Sequence, residues 1–314
     1  MQIFDREDVA KYLQWPDLIE ALRKMFAEGC AAPVRHHHTM EIPGRQPATM
    51  LLMPAWLPGK YAGLKVVSVY PDNGERGLPT INGNYLLMDG TSGIPVASMD
   101  AGELTARRTA AASALAADYL SRKDANKLLI VGSGRLAAYL GFAHGAIRSL
   151  DEIRIWARNP AKAHVIVEQY AAAGQRCFLS DDLEEAVSWA DIVSCATLSS
   201  APLVLGRWLH PGIHLDLVGS FKPTMRETDD EAVVRSRVFV DTREGALAEA
   251  GDLLQPMQNN SFSPTDIVAE LGELASATHP GRIDADEITL FKSVGASLED
   301  LAAAICCFEN SKKE

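Results

Sequence analysis

The sequence predicts an α/β protein: a doubly wound parallel sheet of the Rossmann kind, joined to a second, α+β domain. Three observations predict it. The apolar run Leu128 to Val131 ends in Gly132-Ser133-Gly134-Arg135-Leu136-Ala137 and passes into a helix-like stretch. Beyond it, strand-like and helix-like segments alternate, as βαβ units require. Before it, the first hundred residues carry strands without that alternation.

The elements follow in chain order. Asp5 is placed to cap a short helix running to about Trp15, and Pro16 opens a second one, Asp17 to about Gly29, where proline is favoured. Strand-like segments follow at 34–40, 50–54, 64–70, 84–88 and 95–99. A turn-rich loop, Asp89-Gly90-Thr91-Ser92-Gly93, joins the last two as a hairpin. An alanine-rich helix from Ala101 to about Arg122 leads to the glycine turn. Strands at 127–131, 152–156, 191–195, 213–217 and 238–241 then alternate with helices. Residues 289–308 read as one helix with an apolar face.

Composition excludes several classes. The chain has 314 residues, enough for two cores. At 47% hydrophobic and 23% charged it is an ordinary folded protein rather than a disordered one. A net charge of −11 argues against a nucleic-acid surface, which needs clustered Lys and Arg. No apolar run reaches the roughly eighteen residues of a membrane span, and Asp5, Arg6, Glu7 and Asp8 do not read as a signal peptide. Cys30, Cys177, Cys195, Cys306 and Cys307 form no C-x-x-C pair, so they read as reduced thiols of a cytoplasmic protein.

The glycine turn carries a dinucleotide-binding chemistry. Gly132 permits the tight turn, Gly134 lets backbone approach a pyrophosphate, and Ala137 keeps the helix close to the sheet. The unpaired N–H groups at the helix start face the negative charge. The next strand, Glu152 to Trp156, runs into Ala157-Arg158-Asn159, where NAD-binding proteins usually place an acid for the ribose. Arg158 would instead pair with a 2′-phosphate, which points to NADPH, with NADH as the alternative.

Several residues are placed to handle a substrate. Lys65 shares a strand face with Val67 and Val69, so it either snorkels at an edge or serves a site. Arg108 falls on a helical stripe with Leu104, Ala111 and Leu115. That suggests a donor fork aimed at a carboxylate, or an internal salt bridge to Asp or Glu. Arg35 is a third candidate cation. His36-His37-His38 lacks Cys or carboxylate partners at ligand spacing, so no metal is expected, although a general acid or base could lie among them. Val218-Gly219-Ser220-Phe221-Lys222-Pro223 follows a strand at the carboxyl edge, either as a ligand loop or as a plain turn.

Taken together, these motifs resemble the ornithine cyclodeaminase/μ-crystallin family over nearly the whole chain. The matching pieces are Gly63-Leu64-Lys65-Val66-Val67, Gly77-Leu78-Pro79-Thr80, Asp89 to Gly93, Thr105-Ala106-Arg107-Arg108-Thr109-Ala110-Ala111, the glycine turn, and Thr289 to Gly295. The resemblance implies a substrate and dimerisation domain, residues 1–121 with 292–314, and a Rossmann domain, residues 122–291. It also implies a homodimer. It assigns Lys65 and Arg108 to the substrate carboxylate, with Arg35 nearby and Thr80 near cofactor and substrate. Gly132, Gly134, Arg135, Leu136, Arg158, Thr197, Val218 and Ser293 fall to the cofactor, and Val294 and Gly295 lie near the nicotinamide.

One departure narrows the chemistry. Ornithine cyclodeaminases of this family carry an aspartate where this chain has Phe221, which cannot accept a proton. The stretch Val218 to Glu227 is more similar to the family's Δ1-pyrroline-2-carboxylate reductases. The expected function is therefore NADPH-dependent reduction of a cyclic imino acid to L-proline, or of its six-membered homologue to L-pipecolate. Ornithine cyclodeamination, another reductase or dehydrogenase activity on alanine or an opine-like substrate, and a non-enzymatic, NADPH-binding crystallin role are the rivals. Lys65, His36 and His38 are the candidate proton donors.

Overall fold

The computed structural model describes residues 1–313. The chain divides into two compact units, Met1–Arg108 with Ala296–Glu314, and Thr109–Gly295. In chain order the first contributes β1 (Gln2–Phe4), α1 (Arg6–Tyr12), α2 (Trp15–Glu28), β2 (His36–Met40), β3 (Ala48–Leu57), β4 (Tyr61–Val69), β5 (Ile81–Asp89) and β6 (Pro95–Asp100). Helix α3 (Ala101–Leu120) runs through the boundary.

The Asp5 carboxylate accepts the N–H groups of Glu7 and Asp8 and starts α1, while Pro16 sits in the first turn of α2. The strands form one sheet in the order β1-β6-β5-β4-β3-β2, antiparallel except for β1 beside β6. Register decides which side chains share a face. Met53, Lys65, Tyr85 and Met99 lie in one cross-strand row, and all four are buried. The opposite face carries Leu52, Pro54, Leu64, Val66 and Leu86, each only half-buried.

The second unit begins within α3 and continues through β7 (Lys127–Val131), α4 (Ala137–Gly145), β8 (Glu152–Trp156), α5 (Pro160–Ala172), β9 (Cys177–Leu179), α6 (Leu183–Trp189) and β10 (Ile192–Cys195). Next come β11 (His214–Leu217), α7 (Asp230–Arg235), β12 (Arg237–Val240), α8 (Arg243–Glu249), α9 (Gly251–Gln258), β13 (Ile267–Glu270), α10 (Leu271–Ala275) and β14 (Thr289–Lys292). All eight strands are parallel, ordered β13-β12-β14-β11-β10-β7-β8-β9. The order reverses between β7 and β10, and that switch point is where open α/β sheets bind ligands.

The last helix, α11 (Ser297–Ser311), returns to the first unit, packing on α2 and across β3, β4 and β5. The segment 289–308 is thus not one helix. Thr289 to Lys292 is a strand buried between β11 and β12, with no polar face to reveal a period of two. Gly295, at φ 82°, breaks the chain before α11 begins. The three- and four-residue strands β1, β9 and β13 also lie outside the strands expected from sequence. Among the described residues no helix is long and apolar enough to cross a membrane.

Candidate active site

The two buried cations of the first unit meet two carboxylates from α11. Lys65 Nζ lies 2.6 Å from Asp300 Oδ2. Arg108 donates from Nε to Asp300 Oδ1 at 2.9 Å and from Nη1 to Glu299 Oε2 at 2.6 Å. Lys65 is 3% exposed, Arg108 5%, and both acids 0%, so the cluster is nearly free of solvent screening. Arg108 therefore has the internal salt bridge that its helical position allowed, and only Nη2 makes no hydrogen bond among the described residues. Its neighbour Arg107 does structural work instead. It pairs with Glu103 at 2.9 Å, donates to the Leu13 carbonyl and covers the Trp15 ring.

This environment sets the protonation states. Burial is the largest influence on Lys65, Asp300 opposes it, and Arg108 and Arg35 add repulsion; the ammonium is lowered to about 8. Burial also opposes charge on Arg108, but Asp300 and Glu299 outweigh it and hold the guanidinium protonated. Burial would raise Asp300, yet Lys65 and Arg108 overcome it and keep the carboxylate ionised.

Arg35, half-buried just before β2, is close enough to act on Lys65. Thr80 sits before β5, its carbonyl accepting the Tyr70 N–H at 2.8 Å. The exposed His36 and His38 pair in register with Leu52 and Met50, and through them with Val66 and Ser68. They therefore face the side of the sheet opposite Lys65. Glu299 and Asp300 were missed in the sequence. They lie in the first turn of α11, where acidic residues are ordinary, so residue type alone gave no signal for them.

In the second unit the glycine turn follows β7 at the switch point. Gly132 adopts φ 134°, and a Cβ there would lie 2.6 Å from the Ala196 carbonyl oxygen. A Cβ on Gly134 would meet nothing within 4 Å, so open space lies before the turn. Arg135 is exposed, Leu136 half-buried, and α4 starts at Ala137. The buried Tyr170 hydroxyl accepts the Gly141 N–H and donates to the Ala137 carbonyl, each at 2.8 Å, tying α4 to α5. Arg158 is exposed after β8, with no ion pair among the described residues. Narrow turn, open space and helix start together fit a dinucleotide pyrophosphate.

Thr197 and Val218 follow β10 and β11, at the same edge of the sheet. Ser293, Val294 and Gly295 follow β14 and are held by Asp241. Its Oδ2 accepts the Ser293 hydroxyl at 3.1 Å and the N–H groups of Val294 and Gly295 at 2.8 and 2.7 Å. Phe221 is 40% exposed beyond β11. Among the described residues there is no cluster of three or more His, Cys, Asp or Glu able to hold a metal.

A parallel sheet with this turn at its switch point defines a dinucleotide-binding protein of the Rossmann class. Joined to it in one chain is a mixed sheet that buries a lysine and an arginine. The chain belongs to the ornithine cyclodeaminase/mu-crystallin family, whose model it matches over residues 2–314. It is 36% identical to a Delta(1)-pyrroline-2-carboxylate reductase of Paracoccus denitrificans, over 96% of this chain and 95% of that one. The structure of the Thermococcus litoralis Delta(1)-pyrroline-2-carboxylate reductase, in complex with NADH and L-proline, matches with a TM-score of 0.91. That match has 33% identity and covers 100% of this chain and 98% of the other. An archaeal alanine dehydrogenase dimer with bound NAD matches with a TM-score of 0.89 at 28% identity, covering 100% and 96%.

Proposed function

We propose that this chain reduces a cyclic imino acid, Δ1-pyrroline-2-carboxylate, to L-proline with NADPH, and accepts the six-membered homologue. The observation that carries this reading is the buried Lys65–Asp300–Arg108 array in a chain so similar to a reductase complexed with NADH and L-proline. Arg108 Nη2 and the Lys65 ammonium offer the donors. Holding the carboxylate fixes C2 of the ring, and positioning of this kind is worth roughly 7–11 kcal/mol of barrier.

The reaction adds a proton to the ring nitrogen and a hydride to C2. A reduced nicotinamide dinucleotide, when bound at the glycine turn, would supply the hydride. Lys65 supplies the proton: with its ammonium lowered to about 8, it is charged at neutrality yet releases a proton more readily than an ordinary lysine. Asp300 and Glu299 offset the cations that would otherwise oppose protonation of the imine.

Arg158 supports NADPH, because an exposed arginine after β8 stands ready for a 2′-phosphate. The half-exposed apolar face of the six-stranded sheet, carrying Leu52, Leu64, Val66 and Leu86, supports a homodimer. The free cysteines fit a reducing compartment such as the cytoplasm. The test is loss of reduced-nicotinamide absorbance with freshly prepared pyrroline-2-carboxylate, comparing NADPH with NADH. No loss with either cofactor, on either ring size, ends the proposal.

A further inference from the structure

Glu227 lies between β11 and α7 and is 0% exposed. Its Oε1 accepts the Thr197 N–H at 2.6 Å and the Thr197 hydroxyl at 2.8 Å. Its Oε2 accepts the Gly219 N–H at 2.7 Å. Thr197 follows β10 and Gly219 follows β11, and these strands are neighbours in the sheet. One side chain therefore ties together two loops at the carboxyl edge, where ligands of open α/β sheets bind.

The tie reaches the glycine turn. A Cβ on Gly132 would lie 2.6 Å from the Ala196 oxygen and 3.4 Å from Thr197 Cγ2, so residues 196–197 form the wall against which the turn is made. There is no slack on the other side either. A Cβ on Gly219 would lie 2.0 Å from the Thr197 oxygen and 2.5 Å from Glu227 Oε1.

The two N–H groups require an acceptor and the Thr197 hydroxyl donates to the same side chain, a set that an ionised carboxylate satisfies completely. The surroundings nevertheless make that charge expensive. Asp252 of α9 accepts the Glu227 and Thr228 N–H groups at 2.6 and 3.1 Å. Lys292 of β14 lies 3.3 Å from the other Asp252 oxygen, and both side chains are fully buried. Cys195 of β10 is a further titratable neighbour, its thiol raised first by burial and then by Glu227, Asp252 and Asp216, against Lys292. Two carboxylates thus share one lysine. Burial, with Asp252 adding to it, outweighs Lys292 and the Thr197 donors and raises Glu227 to about 7.

We propose that Glu227 is a positioning residue for the nicotinamide dinucleotide. As a carboxylate it braces residues 196–197 against the glycine turn and holds the loop after β11; once protonated it no longer accepts from all three, so the Thr197 hydroxyl turns round or an N–H is released, and the cofactor is held less tightly. This rests on the cofactor reading above.

The test is binding of NADH to the full chain between about pH 6 and about pH 8.5, followed by nucleotide fluorescence. NADPH is titrated in parallel, because its own 2′-phosphate ionises near pH 6. Wild-type affinity is expected to fall about fivefold or more as the pH drops through 7. Glu227→Gln turns an amide N–H toward one of the three donors. It is expected to bind about tenfold or more weakly at high pH, with a flat profile. Asp252→Asn removes a neighbouring negative charge and should move the wild-type break to lower pH, a change that a purely structural role does not produce. It also decides the matter if Glu227→Gln fails to fold. A flat wild-type profile, a Glu227→Gln protein that binds like wild type, or a break unmoved by Asp252→Asn overturns the proposal. If the wild type binds neither nucleotide, the cofactor reading itself fails, which is a distinct result.

Discussion

Asp300 Oδ2 meets Lys65 Nζ at 2.6 Å, with both side chains buried, and its other oxygen takes Arg108 at 2.9 Å. One carboxylate from the last helix therefore sets the spacing of two cations from the sheet and from α3. A buried ion network of this kind is weak support for stability, because its desolvation cost is close to its Coulombic gain. On the proposed reading, its value lies in presenting fixed donors to a ligand.

Arg108→Ala is expected to raise KM sharply and to lower kcat, because the substrate carboxylate loses its main planar donor. The same change takes one charged donor from Glu299 and one from Asp300. Breaking such a buried network costs about 3–5 kcal/mol. Chemical denaturation separates the two effects, and Arg108→Lys, which keeps the charge but loses the fork, should recover stability more than KM. Wild-type kinetics in Arg108→Ala would remove the carboxylate clamp.

Lys65 predicts a pH profile. If its ammonium donates the proton, kcat/KM falls as pH rises through about 8, and Lys65→Met loses that limb together with most turnover. The sign for stability follows from the lowered value. Between about 8 and the ordinary 10.5 the folded state binds fewer protons than the unfolded chain. Lys65's contribution is therefore full above 10.5 and is lost as pH falls to about 8. A descending limb that survives in Lys65→Met assigns the proton to another group.

Much of this was legible in the sequence, and what was not has physical reasons. The glycine turn announces itself, since an apolar strand, two glycines at fixed spacing and a helix start leave few other readings. Lys65 and Arg108 stand out because a cation on an apolar face breaks the local pattern. Their partners Glu299 and Asp300 do not, because a pair of acids near a helix start also reads as an ordinary N-terminal charge preference. Glu227 was hidden for a different reason. Its three partners are two backbone N–H groups and a hydroxyl, and backbone partners leave no trace in residue type. Thr289 to Lys292 misled because a strand covered on both faces has no alternation to read.

Gly63→Ala is expected to disturb the site from below. A Cβ there would fall 1.9 Å from the Tyr85 hydroxyl oxygen, and Tyr85 lies directly across from Lys65. The ring must move, at a cost of about 1–3 kcal/mol. The Tyr85 hydroxyl is buried without a hydrogen-bond partner among the described residues, so Tyr85→Phe alone should be neutral or stabilising. The double variant should recover part of the loss. Melting curves for the three proteins check this, and additive losses would show that the ring is not the obstacle.

Phe221→Asp is expected not to create an ornithine cyclodeaminase. A carboxylate at this exposed position adds a base, but on the proposed reading the other groups clamp an acid and protonate an imine. Ammonia release from ornithine with NAD, in this single variant, would contradict it.

Arg158→Ala is expected to change cofactor choice rather than chemistry. Arg158 is exposed beyond β8, with no ion pair among the described residues, so its removal should cost the fold little. On the proposed reading it removes one charge-assisted contact to a 2′-phosphate, worth about 1.5–3 kcal/mol, or roughly 10- to 150-fold in kcat/KM for NADPH. NADH has no such phosphate, and its kcat/KM should stay within about twofold of wild type. Arg158→Asp should go further, repelling the 2′-phosphate while offering the ribose hydroxyl an acceptor, so that preference turns toward NADH. Raising the salt concentration should weaken NADPH binding more than NADH binding in the wild type and erase that difference in Arg158→Ala. Equal losses for both cofactors would place Arg158 in general turn geometry and return the choice between NADPH and NADH to other residues.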